Sequence, residues 1–279
     1  MSESDSLLAV AVEAARMAGA LLQGRAQRGA EEVTTKSTPT DLVSEADVAS
    51  ERAIRELLAA RRPQDGFVGE EGGSAESSSG LSWVVDPLDG TVNFLFGIPQ
   101  WCVSVAVRDR EGPLAGAVYD PNRDELFTAS RDGRAELRGP GGARELRGPL
   151  RAAARSQSLG DSRSFARDEL RSAMVATGLA YDADVREAQG RVLARLVGRV
   201  RDIRRFGSAA LDLTWTAAGR YDAYFERSVK QWDIVAGALI CERAGLRVVD
   251  LAVFENLPWG ILVAPPELVD PLLDLVAGP

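Results

Sequence analysis

The chain has 279 residues, 45% of them hydrophobic and 27% charged, with a formal net charge of −8 and a sequence pI near 4.9. A chain of this size buries a large core, and its acidic balance excludes the basic surplus that non-specific nucleic-acid or membrane-surface binding requires. It contains no histidine. That excludes Ser-His-Asp triads, Cys-His pairs, phosphohistidine chemistry and most zinc sites. Carboxylates, hydroxyls, lysines, arginines and oxygen-bound metals remain to carry any catalysis.

The opening MSESDSLLAV has no basic leader region, and no run approaches the roughly 18 apolar residues of a membrane span. A cytoplasmic chain without a signal peptide is expected, with Cys102 and Cys241 as reduced thiols in apolar segments. Leu7, Leu8, Ala11, Ala15, Ala18 and Leu22 recur at helical spacing, which predicts a helix over 5–28 closed by Gly29. A second helix, VSEADVASERAIRELLAARR, is capped by Asp41 or Ser44 and stops before Pro63. A Gly- and Ser-rich loop leads to Gly80 and then to a strand, LSWVVD, ending at Asp86. CVSVAVR, PLAGAVYD, ELFTAS and RAELRG are short runs broken by turn residues and read as an antiparallel sheet. Residues 139–149 are the loosest stretch. They mark a boundary between two lobes of one 1–279 unit, approximately 1–145 and 146–279. The second half alternates strand-like and helix-like segments up to a final helix, PELVDPLLDLV. The order predicts layered α/β or α+β architecture.

The chemistry concentrates in WVVDPLDGTVNF, residues 83–94. An apolar strand delivers Asp86 to the sheet rim, Pro87 fixes a turn, and Asp89 follows. Gly90 then permits close approach before a helix beginning near Thr91. Free amides at that helix start can hold a phosphate. Two carboxylates beside an anion site make sense if hard divalent cations lie between, which points to magnesium. The alternative is a helix cap at Asp86 and a solvated Asp89. Glu70 and Glu71, in a glycine-flanked loop, read as an exposed pair when taken alone, and Asp233, in QWDIVAGA, as an N-cap.

Taken together, TKSTPTDLVSEAD, GEE, DPLDGTVNF and WDIVAGA stand in the order and approximate spacing of the inositol monophosphatase family. RRFGSAALDLTWTAAGRYDAYFE resembles that family's segment before the last metal ligand. The resemblance covers roughly residues 7 to 249. It implies an α-β-α-β-α layered sandwich, a homodimer, and Mg²⁺-dependent, Li⁺-inhibited hydrolysis of myo-inositol 1-phosphate without a phosphoenzyme. By the same resemblance, Glu70, Asp86 and the Leu88 carbonyl hold one magnesium, and Asp86, Asp89 and Asp233 hold a second. Glu70 also assists a weaker third. Glu70 and Thr91 orient the attacking water, with Asp41 hydrogen-bonded to Thr91. Asp89, Ala209 and Glu226 meet the substrate's hydroxyls, Gly90 and Thr91 its phosphate, and Lys36 lies on a loop beside the site.

Departures from the family pattern are Lys230, where animal members often carry histidine, and a shortened segment after Asp250 that lacks the usual Gly-rich turn. The second of these puts the last hairpin in doubt. Histidinol-phosphate, 3′-phosphoadenosine nucleotide and fructose-1,6-bisphosphate hydrolases of the same superfamily stay open as alternatives. So does a role as a partner of the transcription machinery, docked through the basic cluster Arg201, Arg204 and Arg205. Cys102 and Arg108 have the spacing of cysteine phosphatases, but a strand would hold them about 20 Å apart.

Overall fold

The computed structural model describes residues 3–27, 33–35, 42–149 and 169–278. Five layers stack in the order helix, sheet, helix, sheet, helix. The outermost pair is α1 (Glu3–Ala26) and α2 (Glu45–Arg61). The apolar face of α1, with Leu7, Ala11, Ala14, Ala15, Ala18 and Leu22, is buried against the first sheet. Although α1 is long and apolar enough by length and composition to cross a membrane, its small alanine side chains serve here as a flat packing surface.

The first sheet has eight strands in the order β10-β9-β8-β7-β6-β5-β3-β4. They are β3 (Gly66–Gly69), β4 (Ser74–Ala75), β5 (Ser82–Asp89), β6 (Cys102–Asp109), β7 (Gly112–Asp120), β8 (Glu125–Ser130), β9 (Glu136–Gly139) and β10 (Gly142–Glu145). All neighbours are antiparallel except β3 and β5, which run parallel with Gly69 opposite Val85. A two-stranded ribbon, β1 (Val33–Thr35) and β2 (Leu42–Ser44), precedes α2. Two expectations change here. The stretch 139–149, expected to be loose, contains the β9–β10 hairpin, whose second strand ends at Glu145. Strand β5 does not stop at Asp86 but continues to Asp89, with its register against β6 shifting between those two residues. The shift accommodates Pro87, which has no N–H to give a ladder.

After a single turn at α3 (Thr91–Leu95) and a short α4 (Glu169–Ser172), the chain builds the second sheet, order β12-β11-β13-β15-β14. Its strands are β11 (Met174–Thr177), β12 (Asp202–Arg204), β13 (Ala223–Arg227), β14 (Arg247–Leu251) and β15 (Gly260–Ala264). Between the sheets lie α6 (Ala209–Ala217) and α7 (Gln231–Arg243), and outside the second sheet lie α5 (Ala183–Leu196) and α8 (Pro266–Val276). One core joins Cys102, Val118 and Phe127 of the first sheet to Leu211, Leu213 and Ile240 of the middle helices and to Tyr224 and Val263 of the second sheet. The middle helix comes very near the first sheet: a Cβ at Gly116 would stand 2.9 Å from the Cα of Ala236. Alternation along β13 turns Tyr224 to this inner core and Phe225 to the outer one. Glu226 therefore shares Tyr224's face. The last hairpin, in doubt from the shortened sequence, forms as β14–β15.

Candidate active site

Strand β5 enters from the hydrophobic core and ends on Asp86 and Asp89, both buried. A backbone N–H meets the first of them: Asp86 Oδ1 accepts from Leu88 N at 3.0 Å. Asp89 is held more firmly, by the start of α6. Its Oδ2 accepts from Ser208 Oγ at 2.6 Å and Ala210 N at 2.7 Å, and Oδ1 accepts from Ala209 N at 3.3 Å. A carboxylate on the free amides of a helix N-terminus is a favourable placement. Gly90 makes the following turn possible: its φ is 96°, and a Cβ there would stand 2.8 Å from the Gln100 carbonyl oxygen. Asn93 then ties α3 to both sides, donating from Nδ2 to Gln100 O at 2.8 Å and to Phe206 O at 2.7 Å.

The third and fourth acids come from elsewhere. Glu70 lies just past the end of β3, beside Asp86 across the parallel pair. Asp233 sits in the first turn of α7, where its Oδ2 accepts from Lys230 N at 2.6 Å. It is the third residue of that helix and caps it from within, while Lys230 occupies the cap position. Strand β13 adds Glu226, whose Oε2 accepts from Tyr224 Oη at 2.9 Å. Its carboxylate rests on Gly178, where an added Cβ would stand 2.0 Å away.

These acids share one cleft of about 250 Å³. The structure thus brings together Glu70, Asp86, Leu88, Asp89, Gly90, Thr91, Ala209, Glu226 and Asp233, nine of the eleven residues singled out from the sequence. The other two, Lys36 and Asp41, lie outside the described residues. The role expected of Asp41 is filled by Asp47. Thr91 Oγ1 donates to Asp47 Oδ1 at 2.7 Å, with the Leu88 carbonyl 3.1 Å away. Asp47 is fully buried in the first turn of α2, and its Oδ2 accepts from Ser44 N and Ser44 Oγ at 2.8 and 2.6 Å. The sequence did carry a signal for it. Ser44-x-x-Asp47 is a capping-box spacing, but nothing local says that the second carboxylate oxygen is committed to a residue 44 positions later.

Electrostatically the cleft is crowded. Burial raises Asp86 well above the ordinary carboxylate range, and the charges of Glu70, Asp89 and Asp233 push it further. Asp233 is raised in the same way, by burial first and then by Asp89 and Glu70. Burial lifts Asp89 to about 6 against the pull of Ser208 and Ala210, and lifts Glu226 to about 7 against its bond from Tyr224. Among the described residues no three of these side chains converge as a closed ligand shell. Asp86, Asp89 and Asp233 are each turned to backbone donors. The donor chemistry nevertheless fits a hard divalent cation. It offers carboxylate and carbonyl oxygens alone, close enough to perturb one another, in a buried place where only positive charge relieves the strain. The neighbouring Cys102 thiol, raised far above its usual value by burial, offers no thiolate.

The basic residues also find places. Arg205 and Lys230 line the cleft, and Arg204 pairs with Asp202 at 2.5 Å. Cys102 and Arg108 lie at opposite ends of β6, and no phosphate loop forms between them. Both cysteines are buried and free.

The five-layered fold, with acids from three strand ends and a helix start meeting in one cleft, is that of a phosphoric monoester hydrolase. The chain belongs to the inositol monophosphatase family, whose sequence model matches residues 3–269. Among curated relatives, it is 40% identical over 261 residues to "Inositol-1-monophosphatase SuhB" of Mycobacterium tuberculosis, covering 88% of this chain and 84% of that protein. It is 36% identical over 274 residues to "Nus factor SuhB" of Pasteurella multocida, covering 97% and 95%. Among solved structures, the extragenic suppressor protein suhB of Bartonella henselae superposes with a TM-score of 0.81 at 33% identity, covering 97% of this chain and 98% of that one. The layered sandwich expected from the sequence is the fold observed.

Proposed function

We propose that the chain hydrolyses myo-inositol 1-phosphate with magnesium bound by Glu70, Asp86, the Leu88 carbonyl, Asp89 and Asp233. The observation that carries this reading is the Asp47–Thr91 hydrogen bond. It points a buried, oriented hydroxyl into the cleft that holds the acids, without any histidine to serve as base. Bound magnesium supplies Lewis acidity and lowers the pKa of water, the one route to a nucleophile at neutral pH here. Thr91, with its proton committed to Asp47, accepts a hydrogen bond from the attacking water, and Glu70 accepts its second proton. The amides of Gly90 and Thr91 hold the phosphate oxygens. Because α3 is little more than one turn, these N–H groups act as individual donors and not through a macrodipole. Glu226 and Asp89 receive the hydroxyls of the polyol, with the Ala209 amide beside them. Lys230 and Arg205 stand at the mouth of the cleft, where positive charge draws in a dianionic ester.

Phosphate release from inositol 1-phosphate, inositol 2-phosphate, histidinol phosphate, fructose 1,6-bisphosphate and 3′-phosphoadenosine 5′-phosphate tests the reading, with Mg²⁺, with EDTA and with added Li⁺. Magnesium-dependent, lithium-inhibited preference for inositol 1-phosphate is expected. Turnover that survives EDTA rejects the metal, and preference for another ester rejects the substrate. The same family likeness supports a cytoplasmic homodimer, which light scattering on the purified protein tests.

A second reading draws on the relatives called Nus factor SuhB. In it, the chain docks on the transcription machinery through Arg204 and Arg205. Capture of a transcription partner that is unchanged in the Arg204/Arg205 double-alanine variant counts against it.

A further inference from the structure

One face of α2 carries three buried polar side chains at positions i, i+3 and i+4: Asp47, Ser50 and Glu51, exposed by 0%, 0% and 4%. Each reaches a different wall of the cleft. Asp47 takes the Thr91 hydroxyl. Ser50 Oγ donates to Pro87 O at 2.8 Å, inside the turn between Asp86 and Asp89. Glu51 Oε2 accepts the backbone N–H of Glu71 at 2.8 Å.

The Glu51 contact is more than a single hydrogen bond. The turn it grips is short, with the Gly69 N–H bonded to the Gly73 carbonyl at 2.8 Å. The Glu51 carboxylate fills the space that a side chain at Gly69 would occupy, where an added Cβ would stand 2.2 Å from its Oε2. It shares the space beside Gly73 with Arg55, an added Cβ there standing 2.4 Å from Arg55 Nη1 and 2.7 Å from Glu51 Oε1. Glu70 lies between this glycine seat and the gripped amide. The β3–β5 ladder ends at Gly69 opposite Val85. Strand pairing therefore places the backbones before Glu70 and Asp86 about 4.8 Å apart but says nothing of where the chain goes next. Beyond that ladder, Glu51 holds the segment after Glu70, and Ser50 holds the Pro87 turn while β6 pairs with β5 on its other side.

We infer that Glu51 is a positioning residue for metal binding: with Ser50 opposite it, it sets the reach of Glu70 toward Asp86 from a single turn of α2. The inference rests on the metal-dependent reading above. Side chains that orient metal ligands without touching the ion alter affinity by about 10- to 100-fold when removed.

The test uses Mn²⁺ as the probe, with the free-ion electron paramagnetic resonance signal titrated against the full chain without substrate. Glu51→Met, close in size but unable to accept an N–H bond, is expected to weaken Mn²⁺ binding by about 10-fold or more. Glu51→Gln, which keeps an acceptor oxygen, recovers most of that loss. Ile54→Val, a cavity made on the same buried helix face, lowers the unfolding midpoint and leaves Mn²⁺ affinity unchanged. Should Glu51→Met fail to fold, Glu51→Asp decides. It keeps the charge and withdraws the acceptor by one methylene, so weakened binding is expected. Wild-type affinity in Glu51→Met, or in the Asp variant where that one is needed, overturns the inference. So does a loss in Ile54→Val equal to that in the Glu51 variants. A wild-type chain that binds no Mn²⁺ removes the metal reading itself, and the inference with it.

Discussion

Glu226→Gln separates the cost of a half-buried carboxylate from its use. In the folded protein Glu226 is lifted from 4.5 to about 7 by burial, the bond from Tyr224 offsetting only part of the cost. Between those two values the folded chain binds more protons than the unfolded one, so this group's contribution to stability falls as pH rises through the window and levels off above about 7. A shift of about 2.5 units at about 1.4 kcal/mol per unit sets an upper bound near 3 kcal/mol by pH 8, of which under 1 is already lost at pH 5. Glutamine does not titrate, and its amide oxygen can still accept from Tyr224. The metal-free variant is therefore expected to gain about 2 kcal/mol on wild type between pH 5 and pH 8. Urea unfolding of both chains at the two pH values measures this, and the lost charge also eases Asp212 and Asp233, which acts in the same direction. If the two chains keep a constant difference across that range, Glu226 does not ionise in the window and the account fails. Function should move the opposite way. The ionised carboxylate is the better acceptor for substrate hydroxyls, so the wild-type KM for inositol 1-phosphate should rise as pH drops below about 7, while that of the glutamine variant stays flat.

Removing the hydroxyl with Thr91→Val should cut kcat by about 100-fold or more at saturating Mg²⁺; an unchanged kcat removes the water-orienting role. In Asp89→Asn one amide group cannot accept from both Ser208 and Ala210 on a single atom and still serve a cation. Turnover should be lost even with Mg²⁺ saturating, and full turnover contradicts the assignment. Arg227 is almost fully buried and donates to the carbonyls of Ala252, Pro258, Val276 and Ala277. Arg227→Met orphans those oxygens and should cost about 3 kcal/mol or more in urea unfolding, whereas a cost under about 1 kcal/mol would show that water replaces the guanidinium freely.

Asp86 was legible because charge directly after an apolar run is anomalous, and Asp89 follows it within three residues. Glu70, Asp233 and Glu226 read alone as exposed or capping acids and entered the site through the family resemblance. Asp47 and Glu51 were hidden. In SEADVASERAIRELL they occupy a helix whose many charges are mostly solvated, and only tertiary packing decides which of them turn inward. Proline misled the reading of β5, since Pro87 ordinarily ends a strand, and the shift in register absorbs it. At GPGG the glycines suggested looseness, but they make the tight β9–β10 turn, with Gly142 at a φ of 92°. The layered order of helices and sheets followed from alternating segment types, while the mixed parallel and antiparallel pairing in both sheets has no local signature.

The three contacts made by α2 also constrain how this chain can change length. A loop absorbs an inserted residue by bulging, but a helix cannot: one extra residue turns everything beyond it by about 100°. Placed between Asp47 and Ser50, such an insertion would keep the grip on Thr91 and swing the other two contacts away from the cleft. A deletion there would do the same in the other sense. Substitutions in this stretch are thus open to compensation one at a time, whereas changes of length are not. Comparison of relatives should find gaps in the surface turns and none between positions 44 and 51.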